Sequence, residues 1–414
     1  MRRFGLTALL AAALVSVGSG LAGSTADPGI SSDSILIGGT APISGEASSA
    51  AAVARGAEAY FKSVNAAGGV NKRKIVYKYL DDGYDPSKTV QVVRELVQQD
   101  QVFAIFNTLG TNNNLAVRDF LNQSGVPHVF VASGANTWGA DYKKYPWTIG
   151  FIPSYVLEGI VYGRYVARNF PTLKLGVLYQ DDAYGKDMVS GLKKGLGKNG
   201  KQIVSLVGYD PTGANVASQV AQIKASKANA YLIFAFGKFA VQASIEAAKL
   251  GWKPRLVIVN AVASSANLMG LGDLAGGKPV NRGAISIAVL KDPTDPKWTR
   301  DPGLAAARRI LKKQIPSANP KDGYYYAGMA SAMSLVNVLR RAGQNLTRAS
   351  LMKAARTQNQ PKHPLLIPGI AVKTSPTDGF PIEQVALQRW VSGKGSATGH
   401  WSLFGPLRTA KSSP

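Results

Sequence analysis

Residues 35–90 read ILIGGTAPISGEASSAAAVARGAEAYFKSVNAAGGVNKRKIVYKYLDDGYDPSKTV. The β-branched run at 35–37 predicts a strand, and it leads into a small-residue loop, Pro42-Ile43-Ser44-Gly45. Helical spacing runs from about 50 to 65 and stops at Gly68-Gly69, where glycine accepts the left-handed backbone of a helix end. A second strand is expected at 74–80, ending in Asp81-Asp82-Gly83. Asp85-Pro86 then supplies a carboxylate N-cap and a proline at the first helical position. The stretch is one strand–helix–strand–helix unit with a polar, glycine-cornered loop at a strand's carboxyl end.

The same alternation continues outward. Apolar or β-branched runs recur at 102–106, 126–131, 175–179, 202–207, 230–236, 256–259 and 284–289. Helical patterns lie between and after them, at 90–99, 115–124, 155–169, 186–197, 216–226, 239–250, 303–313, 325–342 and 348–356. Strands alternating with helices predict α/β architecture, with parallel sheets covered on both faces and ligands beyond the strands' carboxyl ends. An internal echo points to two similar lobes. Tyr79-Leu80-Asp81-Asp82-Gly83-Tyr84-Asp85 and Tyr179-Gln180-Asp181-Asp182-Ala183-Tyr184-Gly185 each follow a strand and enter a helix.

The chain has 414 residues, 45% hydrophobic and 17% charged, enough for two or three domains with real cores. Met1-Arg2-Arg3-Phe4, the apolar run 5–17 and Ser24-Thr25-Ala26 form the charged, apolar and small-residue order of a secretory leader. Cleavage is expected after Ala26, with Ala22 the alternative. The apolar part is shorter than the roughly 20 residues that span a bilayer. Cysteine is absent, which excludes disulfides, thiol nucleophiles, thiolate metal sites and lipid attachment to a leader cysteine.

The formal net charge is +24, and loss of Arg2 and Arg3 with the leader makes it +22. The basic residues are scattered in ones and twos, as at Lys193-Lys194 and Arg308-Arg309, and no basic stripe suited to nucleic acid emerges. No nucleic-acid partner is expected.

Catalytic motifs are scarce. His128, His363 and His400 are far apart, and His128 lies in a strand, where a structural role is expected. HExxH, GxSxG and GxxxxGK[ST] are missing, and the one GxGxxG match, Gly18 to Gly23, falls inside the leader. Asp81-Asp82 and Asp181-Asp182 are neighbours in sequence whose side chains point different ways, so they read as strand exits, helix caps and bonds across a cleft. Neither a metal nor a cofactor is expected.

Two loops carry the binding signal. Residues 107–114 follow one strand and open a helix, and 132–137 follow the next. Each offers hydroxyls, a glycine and helix-start N–H groups, a neutral cradle for a carboxylate. Ordinary capped strand-to-helix loops use the same residue types, so the residues alone leave both readings open.

The stretch quoted first, with its continuation to about Leu407, resembles the exported type I solute-binding proteins of ABC importers, the leucine/isoleucine/valine-binding family. The resemblance implies two doubly wound parallel-sheet lobes joined by a three-strand hinge. It implies an N-terminal lobe of 27–150 and 290–365, a C-terminal lobe of 151–289 and 366–407, and a tail from 408 to 414. Crossings between lobes would fall near 150–152, 286–289 and 366–371. The ligand's carboxylate would meet Leu109, Gly110, Thr111, Ser133, Gly134, Ala135 and Asn136. Ser44 would lie on the first-lobe wall, and the second lobe would supply Tyr155, Tyr184, Phe236 and Asn260. In the family's α-amino-acid binders a carboxylate pairs with the ligand ammonium, and the aligned position here is Ala261. The wall at Ala47 to Ala50 is small. An amine-free, aromatic acid is therefore expected in place of a branched-chain amino acid.

The function so implied is non-enzymatic: a periplasmic monomer captures a small solute and hands it to an inner-membrane permease. A ligand sensor of the same fold is the alternative. A secreted hydrolase would need a nucleophile–base pair or a metal cluster, and the sequence offers neither.

Overall fold

A computed structural model describes residues 27–275, 281–393 and 399–410. The expected leader and residues 411–414 of the expected tail lie outside the described residues.

The first half of the chain builds one lobe. Its elements are β1 (Ser34–Ala41), α1 (Ala51–Ala66), β2 (Lys74–Asp81), α2 (Pro86–Arg94), β3 (Ala104–Phe106), α3 (Thr111–Gln123), β4 (His128–Val131), α4 (Thr137–Ala140) and β5 (Thr148–Gly150). The five strands form one sheet in the order β2-β1-β3-β4-β5, and every pairing is parallel. Asp85 caps α2 by accepting from the N–H groups of Ser87 at 2.7 Å and Lys88 at 3.4 Å, with Pro86 at the helix start. β1 runs to Ala41, beyond the expected 37, because Gly38, Gly39 and Thr40 stay paired with β2.

The second lobe follows with α5 (Tyr155–Asn169), β6 (Leu175–Gln180), α6 (Ala183–Leu196), β7 (Ile203–Tyr209), α7 (Ala217–Ala225), β8 (Ala230–Phe234), α8 (Lys238–Lys249), β9 (Leu256–Val259), α9 (Ala266–Ala275) and β10 (Ile285–Ala288). The chain then adds α10 (Pro302–Gln314), α11 (Gly323–Ala342) and α12 (Arg348–Ala355), followed by β11 (Asn359–Gln360), β12 (Val372–Lys373), β13 (Gln384–Val391) and β14 (His400–Thr409). The second sheet has the order β14-β13-β10-β9-β8-β6-β7. Its β6 to β10 pairings are parallel, but β13 and β14 add antiparallel at one edge.

That edge adds an antiparallel pair to the expected parallel sheet. Gln384, Gln388 and Arg389 break the apolar run of β13, so it does not read as a strand until β10 is beside it. The expected tail begins too early, since Arg408 and Thr409 still pair in β14.

Helices α10 to α12 return to the first lobe, where Leu304, Leu311, Tyr326, Met329, Leu335 and Leu351 share a core with Ile35, Ile37, Phe61 and Phe106. Between the lobes, Leu290 bridges Leu366 in antiparallel fashion, Lys291 N donates to Leu365 O at 2.9 Å and Ile367 N donates to Val289 O at 2.9 Å. The third passage comes later than expected. Ile367, Ile370, Val372 and Ile382 are buried in the first lobe's core, whereas Val385 and Leu387 belong to the second's. The chain therefore enters the second lobe after 382 and not near 366–371, because these apolar residues find their burial on the first lobe.

Candidate functional site

The strands of both lobes aim their carboxyl ends at a shared cavity of about 220 Å³. The structure is closed around it. Across the gap Glu46 pairs with Lys238 at 2.7 Å, Asn136 N donates to Asp187 Oδ2 at 2.7 Å and Tyr324 OH donates to Val262 O at 2.7 Å. The Tyr84 ring of the first lobe lies 5.3 Å from Phe236 of the second. Ala47 and Ala50, just before α1, and Val53 in its first turn are buried in a cluster made mostly of second-lobe side chains. The small wall at 47–50 thus serves to let the lobes approach.

The first-lobe side is built from two strand exits. Asn107 (φ 57) and Phe130 (φ 56) both hold left-handed backbone, which a non-glycine residue rarely adopts, and Asn107 Nδ2 donates to Phe130 O at 3.1 Å. The loops beyond them are joined by a bridge between Leu109 and Ala132. Gly110 (φ 102) turns the chain into α3, and no side chain caps that helix. Its first-turn N–H groups are left for another acceptor.

Leu109, Gly110, Thr111, Tyr155, Tyr184 and Phe236 of the expected site line this cavity. Tyr155 and Tyr184 form one wall with ring centres 4.7 Å apart. The other expected residues stand behind or away from it, each for a local reason. Ser44 is exposed, and its hydroxyl is drawn to Asp81 at 2.6 Å. The Ser133 hydroxyl is buried among Thr111 Oγ1 at 2.7 Å, Trp138 Nε1 at 3.1 Å and Ala135 N at 3.2 Å, so it supports the wall from behind. Gly134 is wedged under Tyr155, whose ring would lie 2.8 Å from an added methyl group, and its carbonyl accepts from Tyr155 N at 2.6 Å. Ala135 is packed with Val131 and Trp138. Asn136 spends its backbone N–H on Asp187 and its side-chain oxygen on Ser154 at 2.8 Å, so it latches the lobes. Asn260 is fully buried, and its amide, turned to satisfy its neighbours, sits 2.9 Å from Ala235 O and 2.7 Å from Tyr184 OH.

The paired aspartates do not bridge the cleft. Asp81 accepts from Ile43 N, Ser44 N, Ser44 Oγ, Gly83 N and Lys88 Nζ within its own lobe. Burial alone would raise its carboxyl, but these bonds outweigh burial and hold it well below the usual range. Asp182 caps α6 through Gly185 N at 3.2 Å and accepts from Gln180 Nε2 at 2.7 Å. His128 is buried in the first lobe and bonded to Asn114 Oδ1 at 2.7 Å. Among the described residues no three His, Asp or Glu side chains gather as a metal site, and no helix is long and apolar enough to cross a membrane.

Glu158 is the cavity residue that the sequence reading missed. It sits in the first turn of α5, is 2% exposed and lines the cavity. Its Oε1 accepts from Ala261 N at 2.6 Å and from Tyr162 OH at 2.8 Å. Burial pushes its carboxyl up to about 7, against the lowering effect of those two bonds. The signal was available: a lone carboxylate in the buried run Tyr155-Val156-Leu157-Glu158-Gly159-Ile160-Val161-Tyr162. Tyr84, Val53 and Ile152 are further lining residues not singled out beforehand.

The placement of Glu158 depends on a tight helix crossing. An added methyl group on Gly191 of α6 would lie 2.2 Å from Val156 O of α5, and one on Gly159 would lie 2.4 Å from Met188 O. Glycine there lets α5 and α6 touch backbone to backbone.

The chain belongs to the periplasmic binding protein family, whose sequence profile matches residues 34–395. A Leu/Ile/Val-binding protein homolog 2 of Brucella abortus strain 2308 is 24% identical over 321 residues, covering 77% of this chain and 81% of the relative. Two solved structures share the fold. A fatty acid ABC transporter substrate-binding protein from Thermomonospora curvata superposes with a TM-score of 0.77 at 20% identity, over 94% of this chain and 95% of that one. An ABC transporter solute-binding protein from Rhodopseudomonas palustris BisB5, in complex with 3,4-dihydroxy benzoic acid, gives 0.74 at 17% identity, over 91% and 98%.

Proposed function

We propose that this chain is the exported binding subunit of an ABC importer, capturing a small carboxylic acid between its lobes and presenting the closed form to a permease. The observation that carries this reading is the largely apolar cavity between the touching lobes, with the uncapped start of α3 on one side. Free N–H groups at a helix start favour an anion, and the aromatic walls favour an apolar body behind it. Acid entering the open cleft meets the first-lobe loops. Closure adds Tyr155, Tyr184 and Phe236, and the bound solute favours the closed state by the contacts found only there.

An amine-free, aromatic acid fits best. The loop at Asn260-Ala261 holds no acid, and burial raises the nearby Glu158 to about 7, so near neutral pH it offers an ammonium group only a partly ionised partner. The structural relatives named for a fatty acid and for dihydroxybenzoic acid support an amine-free acid. The relative named for leucine, isoleucine and valine points the other way. A thermal-shift panel of the protein lacking residues 1–26 decides, because a ligand that binds the native state raises the melting temperature by mass action. Benzoate, phenylacetate and longer amine-free acids are expected to raise it, and leucine and valine to raise it far less. A large shift with leucine and none with any amine-free acid would refute the ligand class. Export is tested by mass spectrometry of the native protein, which should begin at or near Asp27 without lipid.

A further inference from the structure

We propose that Glu158 is a specificity-determining residue whose Oε2 reads a hydroxyl group on the bound solute, so that the solute class is a hydroxylated carboxylic acid. This rests on the reading of the cavity as an acid-binding site.

The carboxyl group of Glu158 has two unlike oxygens. Both donors in its surroundings, Ala261 N at 2.6 Å and Tyr162 OH at 2.8 Å, converge on Oε1. Of the two acceptors in reach of the Tyr162 hydroxyl hydrogen, Glu158 Oε1 is nearer than Val259 O at 3.1 Å, and the same oxygen accepts from Ile287 N at 3.1 Å, which ties the arrangement to β9 and β10. Oε2 takes no hydrogen bond from any described residue, while Glu158 is almost fully buried and lines the cavity. Side chains that are buried and polar are normally paired, so a group turned toward a binding cavity with one oxygen free is completed by what enters. Among the described residues, the one lysine on the cavity wall, Lys291, is already held by Asp301 at 2.6 Å and by Pro364 O at 2.9 Å.

The chemistry of that partner follows from where a proton can sit. With both donors on Oε1, a protonated Glu158 carries its hydrogen on Oε2. Ionised, the same atom is an acceptor. Burial raises this carboxyl to about 7, so both forms are populated near neutral pH. An ammonium group suits only the ionised form, and a carbonyl or ether suits only the neutral one. A hydroxyl both donates and accepts, so it pairs with either form. The group stands on the second lobe, whereas the anion cradle at Gly110 and Thr111 stands on the first. A solute bearing a carboxylate and a separate hydroxyl would therefore be held by both lobes at once, which couples recognition to closure.

The test is calorimetry on the protein lacking residues 1–26, with matched acids: benzoate against 2-, 3- and 4-hydroxybenzoate, 3-phenylpropanoate against 3-(4-hydroxyphenyl)propanoate, and phenylalanine as the ammonium arm. In the native sequence at least one hydroxylated acid should bind about tenfold tighter than its parent, the size of one such hydrogen bond. Glu158→Ala should abolish that preference, read as the ratio of the two affinities, whatever it does to the affinity for the parent acid. Glu158→Gln keeps an acceptor for Ala261 and Tyr162, so it preserves the fold if the alanine variant does not. At the Oε2 position its amide nitrogen only donates, as the protonated acid does, so the preference should fall about threefold or more at pH 8, where the native carboxyl is mostly ionised and accepts. A preference undiminished in the variants, parent acids bound as tightly as hydroxylated ones, or phenylalanine bound tighter than all of them would each overturn the assignment. Failure of every acid to bind would instead overturn the acid-binding reading beneath it.

Discussion

Glu158 and Ala261, 103 residues apart in the chain, meet through a 2.6 Å hydrogen bond from the Ala261 N–H to the Glu158 carboxyl. The loop after β9, Asn260 to Ser264, holds no acid, and a helix from elsewhere in the lobe supplies one beneath it. The carboxyl is there, but it arrives already bonded and almost dry. This changes its protonation, its strength and what it can recognise.

That burial has a consequence for stability. The Glu158 carboxyl is raised in the folded state to about 7, above its ordinary value of 4.5. Its contribution is therefore fully present below about 4.5 and is lost as pH rises through 7. Glu158→Gln removes the titration. The stability of the variant relative to the native sequence is expected to grow between pH 5 and 8, by an amount on the order of a few kcal/mol. Denaturant unfolding across that range checks it, and parallel stability curves would count against it.

Thr111 and Ser133 should part company when mutated. Thr111 lines the cavity, so Thr111→Ala should weaken binding of a carboxylic acid by roughly 1–3 kcal/mol with little loss of stability. Ser133→Ala strips buried partners from Trp138 Nε1, Ala135 N and Thr111 Oγ1. Its main effect should be a stability loss of about 1–3 kcal/mol, read as a lower unfolding midpoint. Equal unfolding midpoints for the two variants would contradict this division.

Two of the interlobe polar contacts should differ in weight. The Glu46–Lys238 pair is largely exposed at Glu46, with 65% of that side chain accessible. Such pairs contribute about 0–1 kcal/mol. Asp187 is more enclosed, and burial raises its carboxyl against the bond from Asn136 N. Asp187→Ala is expected to weaken ligand affinity more than Lys238→Ala, with both variants melting near the native temperature when empty. Calorimetric titration with whichever acid the panel identifies ranks them.

The α5–α6 crossing should not accept a side chain. A methyl group on Gly191 would lie 2.2 Å from Val156 O, a contact between rigid backbones. Gly191→Val is expected to destabilise the second lobe by several kcal/mol or displace α5, since overpacking of a close-packed site typically costs about 1–3 kcal/mol and a backbone clash costs more. Circular dichroism melting together with ligand titration detects either result. A variant with native melting and native binding would show that the crossing has slack.

Local chemistry was enough to read much of this chain. The period of apolar residues separates strands from helices because a helix buries one stripe and a strand alternates or is wholly apolar. The Asp85-Pro86 start of α2 and the Tyr155–Asn169 extent of α5 follow from caps and spacing alone. The loops before and after Gly110 and Ser133 were visible as cradle candidates for the same reason: hydroxyls and glycines at a strand's end are local features. What tertiary structure decided was direction and partnership. Whether a residue lines the cavity or supports its wall depends on neighbours far along the chain, and so the Ser44 and Ser133 hydroxyls turned to Asp81 and Trp138 while Leu109 and Thr111 came to line the cavity. Strand β13 needed β10 beside it before its mixed polar sequence became a sheet edge. Glu158 needed the second lobe folded over it before an ordinary glutamate became a buried carboxyl raised to about 7, bonded through one oxygen with the other left to offer. Side-chain spacing is written in the sequence. Desolvation and the competition for hydrogen bonds are set only when distant segments meet.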